Sequence, residues 1–205
     1  MPNFVFFDFE TSQGMTKKIF WGEITQAAFV LTNDDFEVLD SWEGSSRLSN
    51  GIIPEAMALL IQNCTPKMLK ERNLSNYLLV RQMVEKISSW KNSIFFGFNS
   101  SEFDEHVLRN TLFQNLEYPY VTVSNGNERG DILNLARCCH LYYSGSIKTE
   151  INKKTNNPIF KLQQLAPING ITKFKFHNAM EDVLATIEIA KLLKKTAPNV
   201  WKASL

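Results

Sequence analysis

Asn3-Phe4-Val5-Phe6-Phe7-Asp8-Phe9-Glu10 is the stretch on which the fold turns. Aromatic and β-branched residues fill it, as suits a strand with neighbours on both sides. Two carboxylates end it. Side chains two apart on a strand leave the same face, so Asp8 and Glu10 project together from an otherwise apolar strand. Such a pair repels, and it is costly to desolvate unless something positive sits between the two. A hard divalent cation, Mg²⁺ or Mn²⁺, prefers oxygen ligands and would serve. The competing explanation places both acids at an exposed strand end, where the cost vanishes. On these residues alone the two stay level.

Beyond it, residues 22–31 and 36–42 read as strands, with Thr32-Asn33-Asp34-Asp35 as the turn of a hairpin. Residues 50–64 are ambiguous: Ala56 to Ile61 could form a turn or two of helix, but the flanking Gly51 and Pro54 assign the segment as irregular. A helix is expected over residues 74–90, with an apolar stripe of Leu78, Val80, Met83, Val84 and Ile87. Residues 94–98 form a continuously apolar strand, the kind buried on both faces. The next helix would be capped by Ser101, with Asp104 at its third position and Val107, Leu108, Leu112 and Leu116 at helical spacing. Another covers residues 131–142, with Ile132, Leu135, Ala136 and Cys139 inward. Residues 144–158 are polar and expected to be mobile, and a short helix over 162–166 precedes the final one. That last helix opens on a capping box, Asn178 with Glu181 three residues on, and its stripe is Val183, Ile187, Ala190 and Leu193. A hairpin followed by strands alternating with helices predicts a mixed α/β sheet flanked by helices. With no repeat or linker, a single domain over residues 1–205 is the simplest organisation.

The totals exclude several classes. The chain of 205 residues is 44% hydrophobic and 21% charged, ordinary for a globular protein. Its most apolar stretch, residues 3–9, falls far short of the ~20 residues of a bilayer span. No basic segment precedes it as in a signal peptide. No membrane association and a cytoplasmic location are therefore expected. Cys64 and the adjacent Cys138 and Cys139 make a poor disulfide framework. Cys138-Cys139-His140 lacks the second ligand pair of a structural zinc site. A net charge of +1 gives no strong field for nucleic acid. Binding would rest on local pairs such as Lys17/Lys18, Lys153/Lys154 and Lys173/Lys175, each of which equally suits a solvated loop.

Asp104 and Asp182 fall near helix starts, where acids also serve simply to complement the helix dipole. His177 is more telling. It precedes the capping box, whereas in one continuous helix positions 177 and 182 would lie ~140° apart. From the loop it is free to swing over a site that Asp182 lines.

Phe7-Asp8-Phe9-Glu10-Thr11, Asn99-Ser100-Ser101-Glu102-Phe103-Asp104 and His177-Asn178-Ala179-Met180-Glu181-Asp182 resemble, in order, the three motifs of the DEDDh 3′–5′ exonucleases. Within that superfamily the chain is similar to the nuclease domain of the bacterial exodeoxyribonuclease I family over roughly residues 3–194. Asn63-Cys64-Thr65-Pro66, Phe103-Asp104-Glu105 with Arg109-Asn110, Asp131-Ile132-Leu133 with Arg137, and Phe160-Lys161-Leu162 through Asn169-Gly170-Ile171 extend the match.

The resemblance implies an RNase H-like fold, a five-stranded mixed sheet whose second strand is antiparallel. It implies a catalytic set of Asp8, Glu10, Asp104, His177 and Asp182. The four carboxylates would hold two Mg²⁺ or Mn²⁺ ions, and His177 would be the general base. Ions ~3.5–4 Å apart would activate a water and stabilise the departing 3′-oxygen. An imidazole of ordinary pKa ~6.5 can take that water's proton near neutral pH. Thr11, Phe103 and Asn99 would contact substrate. The implied substrate is single-stranded nucleic acid with a free 3′ end, DNA ahead of RNA, released as 5′-mononucleotides. Two other functions compete: RNA trimming on the same scaffold, and a non-catalytic end-binding or polymerase-associated module. The five intact site positions argue against the latter. Exodeoxyribonuclease I carries further C-terminal domains that help enclose the strand, and this sequence ends at Leu205, so high processivity is not implied.

Overall fold

The computed structural model describes residues 2–15 and 19–205, so the Lys17/Lys18 pair lies outside the described residues. β1 (Asn3–Thr11) is the central strand. It pairs antiparallel with β2 (Ile24–Thr32), and β2 pairs antiparallel with β3 (Val38–Ser45). On the other side β4 (Ser93–Gly97) and then β5 (Glu128–Asp131) run parallel to β1. The sheet order is β3-β2-β1-β4-β5, in which only the second strand opposes the rest. That is the RNase H-like arrangement the resemblance implied. β5 reads Glu-Arg-Gly-Asp and has no apolar run, so patterning alone does not reveal it.

The helices, in chain order, are α1 (Ala56–Ile61), α2 (Pro66–Lys70), α3 (Asn76–Ser88), α4 (Asp104–Gln114), α5 (Ile132–Tyr142), α6 (Leu162–Ile168), α7 (Ala179–Thr196) and α8 (Pro198–Ala203). The period of two along β1 sorts them into layers. Phe4 and Phe6 join a core with Ala28, Val30 and the apolar faces of α5 to α8. Val5, Phe7 and Phe9 face the opposite way, into a core with Leu79, Val80, Met83 and Ile87 of α3 and Val107, Leu108 and Leu112 of α4. Both faces of the central strand are thus sealed, which leaves its carboxyl end as the place where its acids can act.

Several expectations change. Residues 50–64 are not irregular throughout, since Ala56–Ile61 is helical. Gly51 and Pro54 both precede its start, where neither interrupts a helical hydrogen bond. None of its side chains is buried, and it is anchored by polar ties instead: Glu55 N–H donates to Ser12 O (2.8 Å) and Gln62 Nε2 to Thr11 O (2.7 Å). The stripe of α3 is rotated from the expected one. Leu79 is fully buried while Leu78 is half exposed, because 79, 83 and 87 follow the i, i+4, i+8 row that meets the sheet. β3 starts later than expected, at Val38, after a loop in which Phe36 takes a left-handed φ of 61° and buries its ring. Leu116 lies beyond the end of α4 and is 96% exposed.

Residues 144–158 contribute a small hairpin, β6 (Glu150–Ile151) with β7 (Pro158–Ile159), closed by Asn152 N–H to Asn157 O at 2.8 Å. α8 was not foreseen at all. Its Trp201 is buried against Phe4, Phe36 and Phe96, with ring centroids 5.4–5.7 Å away. Among the described residues no helix is long and apolar enough to cross a membrane.

Candidate active site

Asp8 and Glu10 continue the Phe4/Phe6 face of β1, opposite Ala28 and Gln26 of β2. The pairing of β1 with β4 runs only from Asn3↔Ser93 to Phe6↔Phe96. The two acids therefore project where β1 outruns its parallel neighbour, at the carboxyl end of the strands, a usual place for ligands in open α/β sheets. β4 ends at Gly97, whose lack of a side chain lets the following turn fold close. A Cβ there would meet Ser100 Cβ at 2.6 Å and Phe7 O at 3.1 Å.

That turn delivers Asp104. Ser101 does not cap the helix, as the sequence suggested, because its hydroxyl is donated to Asp131 Oδ2 at 2.7 Å. The helix opens at Asp104 itself, so this acid is the first helical residue and not the third. It is 3% exposed, and its Oδ1 has no hydrogen-bond partner.

The third motif arrives on α7. Asn178 caps it, its side chain accepting the Glu181 N–H at 3.2 Å. The capping box is only half made, since Glu181 Oε2 accepts from the Lys175 N–H. Val183, Ile187, Ala190 and Leu193 are buried as expected. His177 stays outside the helix with a left-handed φ of 66°, and its N–H donates to Asp182 Oδ2 at 3.1 Å. Asp182 Oδ1 is buried and without a partner. Ligand atoms of Glu10, His177 and Asp182 lie within 4.8 Å of one another.

Crowding and burial shape the charges. Burial, followed by the charges of Asp104, Asp182 and Glu10, raises the Asp8 carboxyl well above its ordinary value. Burial with Asp182 and Asp104 pushes Glu10 up to about 8, against a smaller opposing pull from Arg72. Asp104 rises to about 7 through burial, opposed by backbone hydrogen bonds from itself and Phe9 and reinforced by Asp131 and Glu105. Asp182 rises to about 6, again mainly by burial. Four carboxylates that resist ionising together, two of them with an orphaned buried oxygen, fit a site for a cation. His177 is shifted the other way, below its usual value, by desolvation.

A cleft of about 560 Å³ opens beside these groups. It is lined by Asp8, Asp182, Asn99 and Phe98, by Leu133 and Arg137 of α5, and by Asn152, Thr155 and residues 157–163 around the β6–β7 hairpin. Of the other expected substrate residues, Thr11 is buried with its hydroxyl donated to Gln13 O (2.9 Å), and Phe103 packs partly buried against the core behind the sheet. Neither lines the cleft. Lys153 and Lys154 sit exposed in the hairpin loop, and Lys173 and Lys175 are exposed before α7. Residues given no role from sequence alone also line the cleft, Arg137 and Lys161 among them. The i, i+4 spacing of Leu133 and Arg137 was the available signal. Cys138 is exposed, Cys139 buried and Cys64 intermediate, all as free thiols. A larger hollow of about 670 Å³, lined by residues 47–54 with Pro66, Lys70 and Ser75, contains none of the acids.

No protein-family model matches the chain. Exodeoxyribonuclease I of Buchnera aphidicola subsp. Acyrthosiphon pisum (strain APS) is 34% identical over 202 residues, 98% of this chain and 48% of that protein. Escherichia coli exonuclease I in complex with a dA16 oligonucleotide superposes with a TM-score of 0.89 at 26% identity, over 99% of this chain and 43% of that one. A zinc-bound form of the E. coli exonuclease I–single-stranded DNA complex gives a TM-score of 0.89 at 26% identity, over 99% and 42%. The chain thus spans about half the length, or a little less, of the relatives it matches. In sequence and in fold alike, it is exonuclease I-like across the part of those relatives that it spans.

Proposed function

We propose that this chain is a metal-dependent 3′–5′ exonuclease that hydrolyses single-stranded DNA from its 3′ end to 5′-mononucleotides. One observation carries the proposal: carboxylates from β1, α4 and α7 converge at one end of the sheet, and Asp104 Oδ1 and Asp182 Oδ1 are buried there without partners. The likeness to exonuclease I, whose solved complexes hold single-stranded DNA oligonucleotides, supports DNA as the polymer.

Asp8, Glu10, Asp104 and Asp182 would hold two divalent ions, Mg²⁺ or Mn²⁺. When bound, such ions supply a water acidified for attack at phosphorus and charge neutralisation at the departing 3′-oxygen. The remaining chemistry belongs to the chain. His177, its pKa lowered by desolvation, stays neutral near pH 7 and is free to accept the water's proton. Its own N–H holds Asp182 Oδ2 and leaves the buried Oδ1 as a free acceptor. Arg137 and Lys161 give the cleft positive charge for a phosphodiester backbone. Asn99 lines the same cleft as Asp8 and Asp182, where a terminal nucleotide would lie. Thr11 directly follows Glu10 and Phe103 directly precedes Asp104, and since neither lines the cleft, their assignment to that nucleotide rests on the motif resemblance alone.

Initial rates on matched 3′-labelled DNA and RNA oligomers, with Mg²⁺ and with EDTA, test this reading. Mg²⁺-dependent release of 5′-mononucleotides faster from DNA is the expected result. Faster release from RNA would make the enzyme a ribonuclease, and no release from either would reduce it to an end-binding module.

A further inference from the structure

Asp131 stands at the junction of β5 and α5, and its carboxylate accepts four hydrogen bonds. Oδ1 takes the N–H groups of Asn99 (3.0 Å) and Leu133 (2.9 Å). Oδ2 takes the N–H (3.1 Å) and the hydroxyl (2.7 Å) of Ser101. One side chain therefore caps α5 and also ties down the turn that follows β4. That turn begins at Asn99, held in the left-handed region at φ 66°. Within it, Asn99 O accepts from the Glu102 and Phe103 N–H groups, both at 3.2 Å, and Ser100 O accepts from Glu105 N–H at 2.9 Å. The chain from Asn99 to Asp104 is thus one hydrogen-bonded unit, moored to the edge strand through Asp131.

A second mooring lies just past Asp104. Glu105 is 4% exposed, and its Oε2 accepts from Thr122 Oγ1 and from Arg129 Nη1 of β5, both at 3.1 Å. Asp104 therefore lies between two points held to the same strand, Ser101 bonded to Asp131 and Glu105 bonded to Arg129. Hydrogen bonding sets Asp131 apart from Asp104, although Glu105 Oε1 is also buried without a partner. An ionised carboxylate offers about four acceptor sites, and Asp131 fills its own with protein donors. Asp104 Oδ1 and Asp182 Oδ1, by comparison, have none.

We propose that Asp131 is a positioning residue for Asp104: by holding the Asn99–Ser101 turn against β5, it sets where the Asp104 carboxylate points relative to Asp8 and Asp182. The proposal rests on Asp104 acting in the acid site of the proposed nuclease. Asp131 lines neither the cleft nor the Glu10–His177–Asp182 cluster, so its hold on Asp104 runs through the turn, while its charge raises the Asp104 carboxyl and, by favouring the protonated form, works against metal affinity. Groups that orient the ligands of a metal in this way typically contribute about 10–100-fold in affinity or activity.

The test measures two properties of the whole chain: turnover of a 5′-labelled oligo(dT), and the Mg²⁺ concentration giving half-maximal thermal stabilisation without DNA. Asp131→Asn keeps the shape but replaces half of the acceptors with donors. The expected result is a kcat lower by roughly 10–100-fold, a KM changed by less than about 3-fold, and a Mg²⁺ midpoint raised in step with kcat. Ser101→Ala removes only the hydroxyl donor and shifts both readouts the same way by less, while Ser101→Thr restores them. If circular dichroism finds Asp131→Asn unfolded, the Ser101 pair decides alone, and equal readouts for its two variants overturn the proposal. A folded Asp131→Asn with wild-type kcat and wild-type Mg²⁺ midpoint also overturns it. Asp104→Ala, run alongside, separates the two levels. If it loses both readouts while folded Asp131→Asn keeps them, only the positioning role falls. If Asp104→Ala keeps them as well, the acid-site reading falls and takes this proposal with it.

Discussion

The main-chain N–H of His177 donates to Asp182 Oδ2 at 3.1 Å, so the two residues are joined through the backbone and the imidazole is left free. The bond exists because His177 adopts a left-handed conformation, φ 66°, immediately before the Asn178 cap. Asparagine also visits that conformation, which costs other side chains roughly 1–2 kcal/mol.

His177→Asn should therefore keep the hold on Asp182 while removing the base. Cleavage is expected to fall by roughly 10²–10⁴-fold, with folding stability changed by less than about 1 kcal/mol. With Mg²⁺ saturating at every pH, so that the site carboxylates stay ionised, the acidic limb of the pH–rate profile should disappear with it. Single-turnover kinetics from pH 5 to 9, with thermal unfolding of the same samples, check both statements. A variant that keeps the acidic limb would remove His177 from the role of base.

Metal-free stability should fall as pH rises. Glu10, Asp104 and Asp182 have folded pKa values of about 8, about 7 and about 6, all above the unfolded range near 4. The folded state therefore binds more protons, and the stability these groups contribute is full below pH ~4 and is lost as pH climbs through 6 to 8. His177 opposes this as a single group, because its lowered pKa favours the folded state above its ordinary ~6.5. In EDTA, the melting temperature should drop between pH 5 and 8, and Mg²⁺ should restore more of it at pH 8 than at pH 5. Asp8→Asn should flatten the slope and stabilise the metal-free protein at pH 8 by about 1–3 kcal/mol, while abolishing cleavage. An Asp8→Asn variant with an unchanged slope would contradict this crowding of charge.

The register of α3 can be tested by a pair of truncations. Leu79→Ala empties a fully buried position and should cost about 2–5 kcal/mol. Leu78→Ala, on the half-exposed side, should stay within about 0.5 kcal/mol. Urea unfolding of both measures the difference, and equal losses would mean that Leu78 and Leu79 meet the core alike.

What could be read from the residues, and what could not, follows from the kind of force at each position. β1, β4, α5 and α7 were legible because each buries apolar side chains at its own period. β5 was not, because Glu128-Arg129-Gly130-Asp131 is held by backbone pairing and by the network around Asp131 and Glu105. α1 was set aside because Gly51 and Pro54 flank it, although both precede its start, and it buries no side chain that would have marked it. α8 was missed because Trp201 gains its place from rings and helices distant in sequence, which leave no local period. For the site, the Asp8/Glu10 pair could be read from strand geometry, and His177 from its place before the cap. Asp104 was recognised through motif order, but its helical position was misjudged by two residues because Ser101 spends its hydroxyl on Asp131, 30 positions away. A contact across that separation leaves no local pattern.

Whether these carboxylates carry metal-dependent removal of 3′-terminal nucleotides is decided by a denaturing-gel time course. The substrate is 5′-labelled single-stranded DNA with Mg²⁺, and the samples are wild type and Asp8→Ala. The wild type should shorten the strand stepwise from its 3′ end, and Asp8→Ala, folded by circular dichroism, should leave it intact. A ladder from Asp8→Ala as fast as that of the wild type, or products cut internally or from the 5′ end, would refute the assignment.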